Sequence, residues 1–570
     1  MATKWSEHVT TVTTGNHAGS PTGPGPLPGA TGTARAAALA VLSVAVLIAN
    51  LDNTILNVAL PTLSRDLNAG PADLQWIVDA YVIVFAGLLL TAGSLADRVG
   101  RKRTFMAGLA FFAVGSAWAA LAGSVTVLIA ARAGMGIGGA LLIPSSLSII
   151  SDMYRAPGER QRAISLWAAT TGVGVALGPI IGGLLLAHFW WGSVFLVNVP
   201  IAVAGLIAAA LLVPDSRDPG ASAPDLVGAV LSIAGIGLVL WAIIEGPSRG
   251  WASASVLAVG AGGLAVVAAF VGWERFCAHP MLHLGFFRDR AFAAAIPAVA
   301  TVNFGLYGAL FVLTQFLQFS LGYSPLAAGV RVLPAAMAIV VIAPLSAVGV
   351  RLIGPKLTMA AGLAFITTGL YLVSGVTASA GYGGIVVGML LLGAGAGLAL
   401  PTSSGSVIGS VPREHSGVAS ATNTTASQVG GALGVAVIGS LLTTRYGGHI
   451  TAALAGQHVP AAAMAAIQGS LGGALAVAGR LPGNGGELLA RLARARVRQR
   501  PGSRYARRRR GCRGGLAHHR DLAAAPGAGR LKWLSGLRRG RAPSAARSRP
   551  AAGARDRSCG HPNRAYGYYE

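Results

Sequence analysis

Three charged side chains lie inside long apolar segments of the chain, where they could bind and release a proton. Asp52 lies in the segment Leu51–Pro61, Arg132 lies in Leu128–Ala140, and Asp79 follows a Trp-Ile-Val run in a third segment. A carboxylate within a membrane span is costly and usually faces a cavity or a partner. Burial raises the pKa of a carboxylate and a nearby cation lowers it, so its proton affinity changes as its surroundings open and close. We therefore predict that Asp52, Arg132 and Asp79 are proton-coupling residues.

Each of these residues also has a purely structural interpretation, which stays open at this point. Asp52 could be permanently hydrogen-bonded to a neighbouring helix. Arg132 is the best candidate cation for a carboxylate of the first or second span, and that pairing could serve helix packing alone. Asp79 lies nearer the outer end of its span, where a solvated position is an equally good interpretation.

The elements that must hold these residues are apolar segments of membrane-spanning length. Of the 570 residues, 53% are hydrophobic and 11% are charged, whereas soluble chains average about 25% charged. A helix rises ~1.5 Å per residue, so about 20 residues cross a hydrocarbon core of ~30 Å. The pattern predicts thirteen spans at 37–60, 74–96, 104–122, 125–150, 163–187, 194–213, 226–245, 252–272, 292–319, 326–349, 357–377, 382–408 and 417–442.

The loops between these spans predict the topology. The presumed cytoplasmic segments before the last span contain 16 Lys and Arg, and the segments on the other side contain only Arg65 and Arg249. Positively charged loops stay in the cytoplasm, so we expect a cytoplasmic N-terminus. Residues 1–36 are rich in Gly, Thr and Pro without a continuous apolar core, and we expect them to form a disordered cytoplasmic arm.

The C-terminal region conflicts with this topology. Thirteen spans leave residues 443–495 as an extracytoplasmic loop and the C-terminus outside, yet residues 491–570 contain 22 of the 44 Lys and Arg and only 3 of the 19 Asp and Glu. Either 496–570 is a genuine basic low-complexity tail, or a frameshift near residue 496 has replaced a fourteenth helix. We favour the frameshift, because GC-rich DNA read out of frame encodes such Arg-, Gly- and Ala-rich sequence. Nucleic-acid binding is disfavoured, because the basic residues lack interleaved aromatic side chains.

Glycine and polar residues in later spans predict close packing and a cavity. The four-residue spacing of Gly174, Gly178 and Gly182 bares one face of the fifth span for close helix contact, and Pro179 should kink it. Polar and aromatic side chains in the ninth and thirteenth spans could line a substrate cavity, or could instead join helices or lie at the lipid interface. These candidates are Asn303, Tyr307, Gln315, Gln318, Asn423 and Gln428.

Several function classes lack their sequence signatures. There is no GxxxxGK[ST] phosphate-binding loop, no HExxH and no convincing nucleophile–His–acid arrangement. Cys277, Cys512 and Cys559 are far apart and form no CxxC pair, so neither a metal site nor a disulfide framework is predicted. We therefore expect neither an enzyme nor a bound metal or cofactor.

Taken together, these motifs resemble those of the major facilitator superfamily, and in particular of its 14-helix drug:proton antiporter branch, over residues 37–490. The segments that carry the resemblance are Leu51–Pro61 in the first span, the loop Gly93–Arg103, Arg132 with Gly136, Gly174–Gly183, and Gly322–Pro325 with Gly329 and Pro334. The sequence departs from the branch at Met135, where the motif often has Gln, at Gly192-Ser193 and at Ala426-Ser427.

The resemblance implies an all-α polytopic membrane protein in which two six-helix bundles, 37–213 and 292–442, flank an inserted helix pair, 226–272. The bundles should rock around a central site. It also implies roles for two motifs and ties Arg132 to proton coupling. A conformational latch matches Gly93, Asp97, Arg98, Gly100 and Arg101, and the antiporter motif matches Gly174, Gly178, Pro179, Gly182 and Gly183.

The function expected from this resemblance is proton-coupled export of amphipathic drugs or antibiotics across the cytoplasmic membrane, which would confer resistance. The expected partners are the small-molecule substrate, protons and membrane lipid, with no nucleic acid and the proton gradient as energy source. The oligomeric state stays open, with a monomer favoured. Two alternatives are an uptake transporter for a metabolite, which the Gly174–Gly183 motif argues against, and a non-transporting or truncated membrane protein.

Overall fold

The helices of the chain begin and end close to the predicted spans. The computed structural model describes residues 32–218, 223–278, 280–375, 382–412, 416–454, 463–464, 467–468, 471–480 and 484–495. Before the inserted pair its helices are α1 (Gly32–Asp66), α2 (Pro71–Val99), α3 (Arg101–Ala120), α4 (Val125–Met153), α5 (Pro157–His188), α6 (Ser193–Leu196) and α7 (Asn198–Leu212). The short α6 and α7 together form the sixth predicted span.

The remaining helices complete the inserted pair and the second bundle. They are α8 (Leu226–Arg249), α9 (Ala254–Phe276), α10 (Arg290–Gln315), α11 (Pro325–Ser374), α12 (Gly383–Gly409), α13 (Ser416–Ala453), α14 (Leu471–Arg480) and α15 (Asn484–Ala495). A short 3₁₀ turn, Leu284–Arg288, precedes α10, and a π-helical segment, Phe316–Ser320, extends it. All the described helices belong to one compact unit.

Eleven of the described helical segments are long and apolar enough to cross a membrane. Two details reconcile them with the thirteen predicted spans. Helix α11 is broken at Gly354, because the φ of that residue, 79°, lies outside the range of a right-handed helix. Helix α11 therefore consists of two spans, 325–353 and 355–374. Helix α3, which corresponds to the third predicted span, is not among the eleven. Its 20 residues are long enough for a span, but they begin with Arg101-Lys102-Arg103. The chain is a multi-pass, all-α membrane protein, as the sequence predicts.

The structure differs from the predicted boundaries at both ends of the helical region. Helix α1 begins at Gly32, inside the predicted arm, and residues 1–31 lie outside the described residues. Helix α13 continues to Ala453, so the predicted loop 443–495 begins as helix, and it also contains α14 and α15. The 10 and 12 residues of these last two helices are too few for a span. The predicted tail, 496–570, is not among the described residues.

Side chains at the helix starts satisfy the free backbone N–H groups there. Ser124 accepts a hydrogen bond from the backbone N–H of Val127 at 3.3 Å, and Asp289 accepts from Ala291 and Phe292 at 2.9 and 3.0 Å. Such caps fix where α4 and α10 begin. The positions of the spans therefore follow from cap residues as well as from apolar length.

The helices form two halves joined by the inserted pair. The first half is α1–α7 and the second half is α10–α13, and α8 packs against α2, α9 and α13. We call the end of the bundle that carries loops 97–103 and 151–162 the basic end. The end that carries loops 67–70, 189–192 and 321–324 is called the opposite end.

Candidate functional site

Asp52 and Arg132 form an ion pair in the middle of the first half. The guanidinium of Arg132, on α4, donates through Nη1 to Oδ2 of Asp52, on α1. Asn198, the first residue of α7, donates through Nδ2 to Oδ1 of Asp52 at 3.0 Å. The exposed fractions of Asp52, Arg132 and Asn198 are 2%, 0% and 0%. Both oxygens of the carboxylate are thus hydrogen-bonded, by groups from two other helices.

The second helix completes the surroundings of Arg132. Its Nε donates to the backbone carbonyl of Ile77 at 3.1 Å, and its Cζ lies 4.6 Å from the ring centroid of Tyr81. The sulfur of Met135 lies 4.0 Å from Nη1. Nη2 is buried and has no hydrogen-bond partner among the described residues. The cation is therefore held from three sides and has unused hydrogen-bonding capacity.

This arrangement places a titratable group at a junction of helices. An ion pair in a low-dielectric interior is favourable only while both partners are charged and well oriented. If Asp52 takes up a proton, its attraction to Arg132 is lost and Arg132 becomes an uncompensated buried charge. The contacts that depend on the charge of this one carboxylate are those of α1 with α4 and α7.

Two residues of this site were missed in the sequence. Asn198 follows Phe195-Leu196-Val197 and precedes Val199-Pro200, so a lone amide inside an apolar span was the signal for it. Tyr81 lies two residues after Asp79, and its ring covers Arg132. Sequence spacing could not show that α7 reaches α1 at this level, because the pairing of the helices is a tertiary property.

Asp79 has surroundings quite unlike those of Asp52. Its exposed fraction is 0%, so the structure excludes the solvated position, and both carboxylate oxygens lack a hydrogen-bond partner among the described residues. It lies on the same helix as Ile77 and Tyr81, which contact Arg132. A carboxylate without partners in an apolar interior is accommodated at lower cost when it is neutral.

The residues of the predicted latch come together at the basic end. Asp97 accepts a hydrogen bond from Nε of Arg101 at 2.7 Å, and Nη1 of Arg101 lies 3.8 Å from Oδ2 of Asp152 at the end of α4. Gly100 separates α2 from α3 with a φ of 123°, which glycine adopts freely. Arg98 is exposed and Gly93 faces Pro144 of α4. The hydrogen bonds and ion pairs described for Asp97 and Arg101 all lie within residues 97–218.

The residues of the predicted antiporter motif join α5 to two different helices. Gly174, Gly178 and Gly182 face α1, and Thr54 Oγ1 lies 3.3 Å from the backbone carbonyl oxygen of Gly174. Gly183 and Pro179 instead face the start of α11. A Cβ on Gly183 would lie 2.5 Å from Cα of Leu326, so bare backbone is required there. The motif therefore includes a contact between the two halves.

The predicted substrate-cavity residues have different hydrogen-bond partners. Tyr307 packs at the edge of the hydrophobic core that surrounds the ion pair, and Asn303, one turn earlier, donates to the carbonyl of Val299 at 2.9 Å. Gln318 donates to the carbonyl of Val58 at 2.9 Å, across the halves. The others are Gln315, which donates to the carbonyl of Phe311 at 3.1 Å, Asn423, which donates to Ser404 Oγ at 3.1 Å, and the half-buried Gln428.

The described hydrogen bonds between the halves lie towards the opposite end of the bundle. Besides Gln318 with Val58, Ser440 Oγ on α13 lies 3.3 Å from Oε1 of Gln75 on α2, while its shorter hydrogen bond, of 2.8 Å, goes to the carbonyl of Ile243 on α8. The glycine contact between α5 and α11 lies at the same end. This conformation therefore joins the halves at the opposite end.

The chain matches the family model described as Major Facilitator Superfamily over residues 42–435. It belongs to this superfamily. The multidrug efflux pump LfrA of Mycolicibacterium smegmatis is 39% identical over 448 residues, covering 78% of this chain and 88% of that protein. The tetracenomycin C resistance and export protein of Streptomyces glaucescens is 34% identical over 450 residues, covering 78% and 84%.

A solved structure shows the same fold. The inward-facing, unoccupied crystal structure of a bacterial homologue of the human lysosomal transporter Spinster aligns with a TM-score of 0.58 and 19% identity. The alignment covers 82% of this chain and 94% of that chain.

Proposed function

We propose that this protein exports amphipathic drugs or antibiotics across the cytoplasmic membrane in exchange for protons and thereby confers resistance. The observation that carries the proposal is the buried Asp52–Arg132 ion pair with Asn198, which lies where three helices meet. The names of the relatives support the substrate class, since they include a multidrug efflux pump and a tetracenomycin C resistance and export protein.

The proposed coupling step is protonation of Asp52. A proton that reaches the ionised carboxylate removes its charge and weakens the hydrogen bonds that Arg132 and Asn198 donate to it. A ligand shifts an equilibrium only by its differential affinity for the two states. Protonation therefore drives the conformational change only if Asp52 binds the proton more tightly in one conformation than in the other.

The distribution of basic residues supports a cytoplasmic N-terminus and a cytoplasmic basic end. In that orientation the contacts of Gln318 with Val58 and of Ser440 with Gln75 hold the halves together on the outer side. The latch of Asp97 and Arg101 then holds the cytoplasmic side in the outward-open state. The proton gradient supplies the energy, and no cofactor takes part.

The experiment that tests the proposal uses inverted membrane vesicles with an imposed pH gradient. Ethidium and a panel of aromatic antibiotics are the probes, and both their accumulation and the release of protons are recorded. We expect substrate-dependent proton release in the wild type and its loss in Asp52→Asn at equal protein level. Asp66→Asn is the matched control, because Asp66 is an exposed carboxylate at the end of the same helix.

Three results would contradict the proposal. Efflux in Asp52→Asn that still follows the pH gradient would remove Asp52 from the coupling step. Flux in the reverse direction would favour an uptake transporter. If the wild type moved no compound, the non-transporting alternative would gain support, and the reading frame near residue 496 should be resequenced.

A further inference from the structure

A groove runs between α2 and α4 of the first half and the inserted pair. Its volume is about 370 Å³, and its lining is apolar apart from the indole nitrogen atoms of two tryptophans. The lining residues are Trp76, Ala80, Ile83, Val84, Ala133, Ile233, Gly237, Leu238, Trp241 and Val259. The four residues of α2 and the four of α8 recur at helical spacing, so each set forms one continuous helix face.

The groove has a closed end and an open end. Towards the basic end, Ser232 Oγ of α8 lies 3.4 Å from the backbone carbonyl oxygen of Gly87 of α2, so the two helices touch. Trp76 and Trp241 lie at the other end. The eight steps from Ile233 to Trp241 correspond to a rise of about 12 Å along the helix axis. The groove is therefore a slot parallel to the membrane normal.

The chemistry of the lining defines its occupant. The slot lies within helices that span the membrane, where the surrounding solvent is lipid chains. It offers an extended apolar surface and no charged side chain, which suits an acyl chain better than a polar drug. Tryptophan at its mouth matches the preference of that side chain for the membrane interface.

A cation marks the mouth of the slot. Arg249, two turns beyond Trp241 at the end of α8, places its Cζ 5.0 Å from the Trp241 ring centroid and donates through Nε to Glu245 at 3.2 Å. Its side chain is 54% exposed. A guanidinium carries five N–H donors, so the bond to Glu245 leaves donors for a phosphate.

We propose that this slot binds a glycerophospholipid, with one acyl chain between α2 and α8 and its phosphate at Arg249. The bound chain fills the space between the inserted pair and the first half, directly behind the α2–α4 contact that contains Arg132. The proposal depends on the membrane-spanning fold and on these contacts, and it is independent of the direction and coupling of transport.

The test is native mass spectrometry of the full chain in detergent, titrated with a palmitoyl-oleoyl phosphatidylglycerol. Gly237→Phe should fill the slot, because a Cβ at Gly237 meets only Ile83, at 4.0 Å. We expect its affinity for the lipid to fall by at least about tenfold, or ~1.4 kcal/mol. Gly262→Phe is the matched control, because a Cβ on that α9 glycine meets nothing within 4 Å. Equal affinities of wild type and Gly237→Phe would overturn the proposal.

Arg249→Gln and two partial ligands test the headgroup without altering the slot. We expect Arg249→Gln to bind phosphatidylglycerol several-fold more weakly and to bind diacylglycerol, which has no phosphate, as the wild type does. Glycerol 3-phosphate, which has no acyl chain, should not bind. Unchanged lipid affinity in Arg249→Gln would overturn the phosphate assignment, and tight binding of glycerol 3-phosphate would identify a free-phosphate site instead.

Discussion

The two halves of the molecule share a packing device but differ in what they bury. In the first half α5 presents Gly174 and Gly178 to α1, and in the second half α13 presents Gly430 and Gly434 to α10. Among the described residues, buried charged side chains of the halves occur only in the first, at Asp52, Asp79 and Arg132. The second half buries uncharged polar residues, which are Asn303, Thr314, Gln318, Ser346, Thr358, Thr402, Ser403, Thr422 and Ser440.

This difference separates scaffold from chemistry. Glycine faces let helix backbones approach closely, and that requirement is the same in both halves. Buried charge is costly in a membrane protein and is kept where it serves a function. The comparison therefore supports a division in which the first half carries the proposed proton coupling and the second half moves against it. The following predictions test that division.

The largest effect is expected for Arg132→Met. This change leaves Asp52 buried with only Asn198 as a partner, and breaking a buried pair by removing one partner costs about 3–5 kcal/mol. Thermal unfolding in detergent should show the loss of stability. The double variant Asp52→Asn with Arg132→Met removes both charges and should regain most of that stability, yet it should not couple transport to protons. Proton-coupled efflux by the double variant would place the coupling outside this pair.

The sequence predicted the membrane-spanning helices and which charged residues lie inside them. It did not predict all the hydrogen-bond partners of those residues. Apolar length and basic loops sufficed for the spans, because each span must cross the membrane by itself. Arg132 was correctly chosen as the partner of a carboxylate in α1 or α2, and the structure selects Asp52. The partner of Asn198 could not be predicted, because its contact with Asp52 depends on how α7 packs beside α1. The sites proposed for proton coupling and substrate contact remain predictions.

Glycine substitutions in the two halves should have similar, intermediate effects. A Cβ on Gly178 would meet Thr54, and a Cβ on Gly434 would meet the backbone of Phe304. Overpacking of this kind costs about 1–3 kcal/mol, so Gly178→Ala and Gly434→Ala should lower the thermal stability by comparable amounts. Gly172→Ala on α5 is the control, since a Cβ there meets nothing within 4 Å. A large loss in only one half would show that the packing device is not shared.

Asp79→Asn should affect stability less than the changes above. Because the carboxylate of Asp79 has no hydrogen-bond partner among the described residues, the isosteric amide loses no ion pair. We expect a change in unfolding free energy below about 1 kcal/mol, within the range of a single hydrogen bond. If Asp79 is a second proton-coupling site, drug efflux should also lose part of its dependence on the pH gradient. A large destabilisation would instead reveal a structural role.

The smallest effect on stability is expected at the basic end, where Asp97→Ala removes a partly exposed ion pair with Arg101. Such pairs contribute about 0.2–1 kcal/mol, and Arg101 still has Asp152 at 3.8 Å. If Asp97 helps hold the cytoplasmic side closed in the outward-open state, its loss slows the conformational cycle. The maximal rate of efflux should then fall, and the substrate concentration at half-maximal rate should stay the same. Asp215→Ala is a suitable comparison. Asp215 lies at the same end of the molecule, and no ion pair is described for its carboxylate. Unaltered kinetics in Asp97→Ala would mean that the contacts within residues 97–218 hold the first half together but do not control its movement against the second.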